Sequence, residues 1–207
     1  MPGSHHEYDK AFIFIQESLR RTGLEYFDKY LIHWPNPDDG KYVDAWKALV
    51  DAQKQGLIRT IGVSNFEPAH LDDIIEATGV TPATNQVERH PYFNNDRMVE
   101  EDKKRGIVTE AWSPFGRGYL NDVLENATIK EIADKYGKTP AQIIINWNYQ
   151  AGVMTIPKSG DPVHQKENIE ATAFDLSRED IDKIDALDKG EEGRVEGQDP
   201  NEYHEYV

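Results

Sequence analysis

Two hundred and seven residues, 38% of them hydrophobic, are enough to bury one sizeable core and carry no compositional sign of disorder. Lysine and arginine number 23 against 38 aspartates and glutamates, and a net charge of −15 argues against nucleic acid or an anionic membrane surface as a partner. With no cysteine, no membrane-length apolar run and no charged-then-apolar leader, the reading is a soluble cytoplasmic protein without disulfides or cysteine-bound metal, whose partners are small molecules.

Taken in chain order, the first helical period runs from Asp9 to Arg21, with Phe12, Ile15 and Leu19 on one face and Gly23 where a C-terminal cap belongs. A strand follows at Phe27–Ile32, a helix at Tyr42–Lys54, and a second strand at Leu57–Val63. Next come a helix at Ala69–Ala77, a strand at Pro82–Val87, a helix at Asp96–Lys104 and a strand at Ile107–Ala111. Two helices, Thr128–Tyr136 and Thr139–Gln150, precede the fifth strand at Val153–Ile156. Helices at Pro162–Ala171 and Arg178–Leu187 close the series, opened by the caps Asp161 and Ser177. The whole reads as one domain over residues 1–207, ending in a surface tail over residues 188–207.

Strands alternating with helices predict parallel pairing through right-handed crossovers, in an open sheet or a barrel. The placement of polar groups favours the barrel. Each strand ends in polar or aromatic residues: His33-Trp34, Ser64-Asn65, Asn85-Gln86, Trp112-Ser113 and Lys158-Ser159. A rim supplied by every strand is how a (β/α)8 TIM barrel builds its site, whereas an open sheet gathers ligand contacts at one switch point. Neither a G-x-G-x-x-G loop nor a P-loop is present to support the open sheet. Only five of the eight strands of a barrel are found.

These strand ends, in their order and spacing, resemble the aldo-keto reductases. The residues that carry the likeness are Leu31-Ile32-His33-Trp34-Pro35, Ile61-Gly62-Val63-Ser64-Asn65-Phe66, Asn85-Gln86-Val87-Glu88 with His90-Pro91-Tyr92, Ala111-Trp112-Ser113-Pro114-Phe115-Gly116, and Ile156-Pro157-Lys158-Ser159. The resemblance covers residues 9–187. It implies an NADPH-dependent oxidoreductase of barrel fold that moves hydride to an aldehyde, ketone or sugar-derived carbonyl without metal. His33 then corresponds to the active-site histidine that orients the substrate oxygen, and Trp34 to a wall of the substrate pocket. Ser64, Asn65 and Gln86 correspond to residues that hold the nicotinamide carboxamide, and Trp112 to the aromatic surface on which that ring stacks. Ser113, Phe115 and Gly116 lie on the loop over the pyrophosphate. Lys158 and Ser159 face the adenosine 2′-phosphate of NADP(H), and Glu167 and Asn168 the adenine end. His164 stands where an arginine commonly grips that phosphate, which weakens the preference for NADP(H) over NAD(H). His70 and His164 read as surface residues and His90 as a support of the fold.

The family pattern also places three strands and two helices before the helix at Asp9. That segment holds the proton-donating tyrosine and the aspartate and lysine that tune it, and none of the three is present here. Met1-Pro2-Gly3 fits the step directly after that lysine. The expectation is therefore a chain inactive alone, with open barrel edges that invite self-association. The alternative is a non-catalytic nucleotide-binding or assembly protein built on a partial barrel. An aldolase or isomerase is disfavoured, because no Schiff-base lysine context and no paired strand-end carboxylates appear.

Overall fold

The structure, a computed structural model, describes residues 1–205, and its elements follow the periods of the sequence. In chain order they are α1 (Tyr8–Thr22), β1 (Phe27–Ile32), α2 (Tyr42–Lys54), β2 (Ile58–Ser64), α3 (Pro68–Thr78), β3 (Thr84–Glu88), α4 (Asp96–Lys104), β4 (Val108–Trp112), α5 (Leu120–Leu124), α6 (Ala127–Tyr136), α7 (Pro140–Gln150), β5 (Met154–Thr155), α8 (Pro162–Glu170) and α9 (Arg178–Asp185). α5 and the 3-10 turns at Gly3–His5, Pro37–Asp39 and Gly190–Gly193 were not expected, being too short for a period to show. β5 has two residues instead of four. Its ladder stops before Pro157, which has no N–H to continue it.

The chain divides into two compact units. The first comprises residues 1–86, 100–108 and 197 onward. There β1 pairs with β2 in parallel from Phe27↔Ile58 to Ile32↔Val63, and β2 with β3 at Val63↔Asn85 and Ser64↔Gln86. α1 buries Ile15 and Leu19 of the predicted stripe together with Ala11, while Phe12 is only partly buried, and it ends at Gly23 in the left-handed conformation. α2 packs against α1, α3, β1 and β2 and so buries a broad face that includes Trp46 and Leu49. Gly62 on β2 has no room for a side chain, since a Cβ there would meet Leu31 Cδ2 at 2.7 Å and the Thr84 carbonyl at 2.8 Å. Asn85 is fully buried and satisfied: its Oδ1 accepts from the Phe66 amide, while Nδ2 donates to the Phe66 carbonyl and to Asp102 Oδ1.

The second unit comprises residues 87–99 and 109–196. β4 and β5 pair in parallel at Glu110↔Met154 and Ala111↔Thr155. Its core gathers Ile129, Ile132, Ile143, Ile144, Leu176 and Ile184 around Trp147, whose Nε1 donates to Asp185 Oδ1 at 2.7 Å. α7 starts with a capping box in which Thr139 and Gln142 exchange side-chain and backbone bonds. The stretch expected as a surface tail is fastened at several points, because its backbone donors find partners. In the second unit the Lys189 amide donates to the Tyr92 carbonyl and the Val195 amide to Glu88 Oε1, each at 2.9 Å. In the first, Pro200 and Glu205 are buried.

Candidate functional site

Within the first unit, the ends of β1, β2 and β3 are tied by one row of hydrogen bonds. Asn65, directly after β2, adopts a left-handed backbone (φ 61°), which turns its side chain along the strand ends. Its Nδ2 donates to the His33 carbonyl at 3.0 Å and to Ser64 Oγ at 3.1 Å, and Ser64 Oγ donates to the Gln86 carbonyl at 2.8 Å. The Asn65 amide also donates to the Gln86 carbonyl. The structure thus brings together His33, Ser64, Asn65 and Gln86, from the ends of three successive strands. The ring of His33 is 57% exposed. Trp34 is almost wholly buried and carries Tyr203 against its face, with ring centroids 4.2 Å apart. Residue 1 runs beside β1 in the manner of a parallel neighbour: its amine donates to the Leu31 carbonyl and its carbonyl accepts from the His33 amide.

Within the second unit, β4 ends at Trp112, which is half-buried, and the chain turns through Ser113 (φ 47°) and Gly116 (φ 66°). The Gly116 amide closes this turn on the Ser113 carbonyl at 2.8 Å, and a Cβ on Gly116 would meet Val123 at 3.2 Å and Tyr119 at 3.3 Å. Two cavities open here. One of about 290 Å³ is lined by Ser113, Phe115, Gly116, Arg117 and Lys158. The other, of about 480 Å³, is lined by Phe115, Lys158, Ser159, His164, Glu167 and Asn168. Phe115, Leu120 and Lys158 belong to both. Ser159 Oγ accepts from the Asp161 amide, and Asp161 in turn caps α8 by accepting from the Val163 amide at 2.8 Å. That capping carboxylate engages a first-turn amide of α8, and the positive groups of the cavities are Lys158 and Arg117. Among the described residues neither makes an ion pair or a hydrogen bond, although acids outnumber bases in this chain.

Two other expectations meet the geometry here. His90 is fully buried and bonded through Nε2 to Glu88 Oε1 at 2.9 Å, the supporting role expected of it. His70, read as a surface residue, is buried instead. Its Nδ1 accepts from the Glu67 amide in the cap of α3, and Tyr42 and Phe66 enclose its ring. Two residues of this region escaped the sequence. Arg117 sits in a turn with no period to mark it, and Glu205 reaches His33 Nδ1 at 2.6 Å from 172 positions away.

No helix among the described residues is long and apolar enough to cross a membrane, and no cluster of potential metal ligands is found among them. The model of the Aldo/keto reductase family matches residues 1–189. The chain is 45% identical over 197 residues to an aldo-keto reductase of Mycolicibacterium smegmatis, covering 95% of this chain and 70% of that one. It is 42% identical over 205 residues to 2,5-diketo-D-gluconic acid reductase B of Corynebacterium sp., covering 99% and 72%. Methylglyoxal reductase DkgA of Escherichia coli K12 is 42% identical over 187 residues, with 90% and 66% covered. Among solved structures, Gox0644 superimposes with a TM-score of 0.91 at 42% identity, over 97% of this chain and 72% of that one, and a variant of it has been solved with NADPH. A Bombyx mori protein solved in complex with NADP superimposes with a TM-score of 0.85 at 30% identity, over 98% and 70%.

Proposed function

The chain belongs to the aldo/keto reductase family, and from that premise we propose that it supplies the cofactor- and carbonyl-orienting part of an NADP(H)-dependent reductase of small oxygenated carbonyl compounds, such as 2-oxo aldehydes and keto sugar acids. The observation that carries the reading is the pair of adjoining cavities bordered by two unpartnered cations, Lys158 and Arg117, which suits a dinucleotide bearing several phosphates. When bound, the nicotinamide cofactor supplies the hydride. The protein's part is to hold and orient. Lys158 and Ser159 take the 2′-phosphate, Glu167 and Asn168 the adenine end, and the turn Ser113 to Gly116 lies over the pyrophosphate. Trp112 offers its face to the nicotinamide ring, Ser64, Asn65 and Gln86 its carboxamide, and Trp34 bounds the substrate pocket. His33 sets the orientation of the substrate oxygen. The proton-transfer groups that the family resemblance calls for have no counterpart in these residues, so the 207-residue chain by itself reduces no carbonyl at an appreciable rate.

Titrating the chain with NADPH while following tryptophan emission tests the reading. Saturable quenching, lost on Trp112→Leu and weakened by Lys158→Ala, is expected. A flat titration would reject the dinucleotide site, and binding without any carbonyl reduction even in longer forms of the protein would favour the non-catalytic alternative.

A further inference from the structure

Glu205 is nine-tenths buried, and its carboxylate meets a ring nitrogen and a backbone amide. Oε1 lies 2.6 Å from His33 Nδ1, and Oε2 accepts from the Gly3 amide at 3.0 Å. The residue is also clamped through its backbone: its amide donates to Asn36 Oδ1 at 3.1 Å and its carbonyl accepts from Asn36 Nδ2 at 2.9 Å. Asn36 is itself buried, in a left-handed conformation that aims the side-chain amide at this segment. Tyr203, two residues earlier, rests on Trp34, next in sequence to His33. The carboxylate therefore has a fixed place and not a choice of partners.

We propose that Glu205 is a positioning residue that fixes His33 as its Nδ1–H tautomer and leaves Nε2 as a hydrogen-bond acceptor. A carboxylate offers acceptors only, so the proton of the 2.6 Å contact has to come from Nδ1. If His33 carried its proton on Nε2 instead, two acceptors would stand 2.6 Å apart with no proton between them, a repulsive contact. The charge state agrees with this. Burial pushes the Glu205 carboxyl up, but the hydrogen bonds from His33 and Gly3 and the nearby amine outweigh it and hold the group below its ordinary value, so it is ionised at neutral pH. The consequence for substrate rests on His33 facing the substrate, as proposed above. In its neutral form the ring accepts from an O–H, as on an alcohol or a hydrated aldehyde, and it donates to a bare carbonyl oxygen only when it carries a second proton.

The test is ¹⁵N NMR of the ring nitrogens in the cofactor-free 207-residue chain near pH 8, with the His33 signals identified by their loss in His33→Asn. Nδ1 is expected in the range of a protonated nitrogen and Nε2 in that of a bare one. In Glu205→Gln the amide has one oxygen for two donors. Giving that oxygen to Gly3 and the NH₂ to His33 satisfies all groups only if Nδ1 becomes the acceptor, so the two signals should exchange character. A wild-type ring protonated on Nε2, or a Gln variant whose tautomer is unchanged, would overturn the proposal. Because these spectra need no cofactor, a failed NADPH titration would remove the functional reading while leaving this one standing, and the reverse holds equally.

Discussion

His6 shows what a single residue contributes when burial and charge conflict. Its ring is 1% exposed, and neither nitrogen has a hydrogen-bond partner among the described residues. Burial first, and then the amine of residue 1, depress its pKa to about 4, against the smaller opposing pull of Glu205 and Asp39. The unfolded chain takes up this proton as the pH falls below 6.5, while the folded chain does so only near 4. Stability attributable to His6 is therefore intact above 6.5 and falls across that window, by about 3 kcal/mol when complete. Urea midpoints at pH 7 and pH 4.5 should fall further in the wild type than in His6→Leu, and equal falls would count against a neutral buried ring. His164 poses the matching question for cofactor choice. It lines the larger cavity with Lys158, and an imidazole lacks the bidentate fork of a guanidinium. His164→Arg should tighten NADPH by roughly tenfold, about 1.5 kcal/mol, and leave NADH close to unchanged. An equal gain for both cofactors would show that the residue does not face the 2′-phosphate.

At the scale of elements, the predicted β1, α2 and α4 are found at their expected bounds, because each pairs a clear apolar period with a terminating signal nearby. The predicted strands at the next three positions are each displaced by one or two residues, since the ladder and not the apolar run sets their ends. Gly62 would pass in sequence as a weak point in a strand. In the structure it is where β2 admits the Leu31 side chain and the Thr84 backbone, both under 3 Å from the missing Cβ. Gly62→Ala should cost about 1–3 kcal/mol of stability by forcing the strands apart, measured as a lower urea midpoint with unchanged slope. A neutral outcome would mean that β1 and β3 yield more easily than a paired sheet should. α9 is anchored differently. Asp180 is buried at its start, and although burial raises its pKa, hydrogen bonds from Lys135, Ser177 and Tyr136 bring it down to about 2. Ser177→Ala removes both the cap of the Asp180 amide and one of these bonds and should cost about 1 kcal/mol.

For the molecule as a whole, the decisive measurement is turnover. The general acid of such a reaction contributes about 10²–10⁴ in rate, and on the proposed reading the family's tyrosine has no counterpart in these residues, so NADPH oxidation with a reactive aldehyde should stay near background. Turnover of about 1 s⁻¹, the lower end for ordinary enzymes, would show that some other group here donates the proton. The local and repetitive features were determined by sequence alone: the alternation of strands and helices, the caps, and the polar strand ends, all of which depend on neighbours within one turn or one ladder step. Side chains that meet across long separations were decided only by the tertiary structure. Arg89 is marked by no local pattern, and its guanidinium is 1% exposed, stacked 3.8 Å over Trp147 and bonded to Asn148 and Asp96. Glu205 reads as one more acid in an acidic tail, yet it holds the ring of His33. No local pattern encodes such pairs, because the energy that selects them arises only when packing removes water from both partners at once.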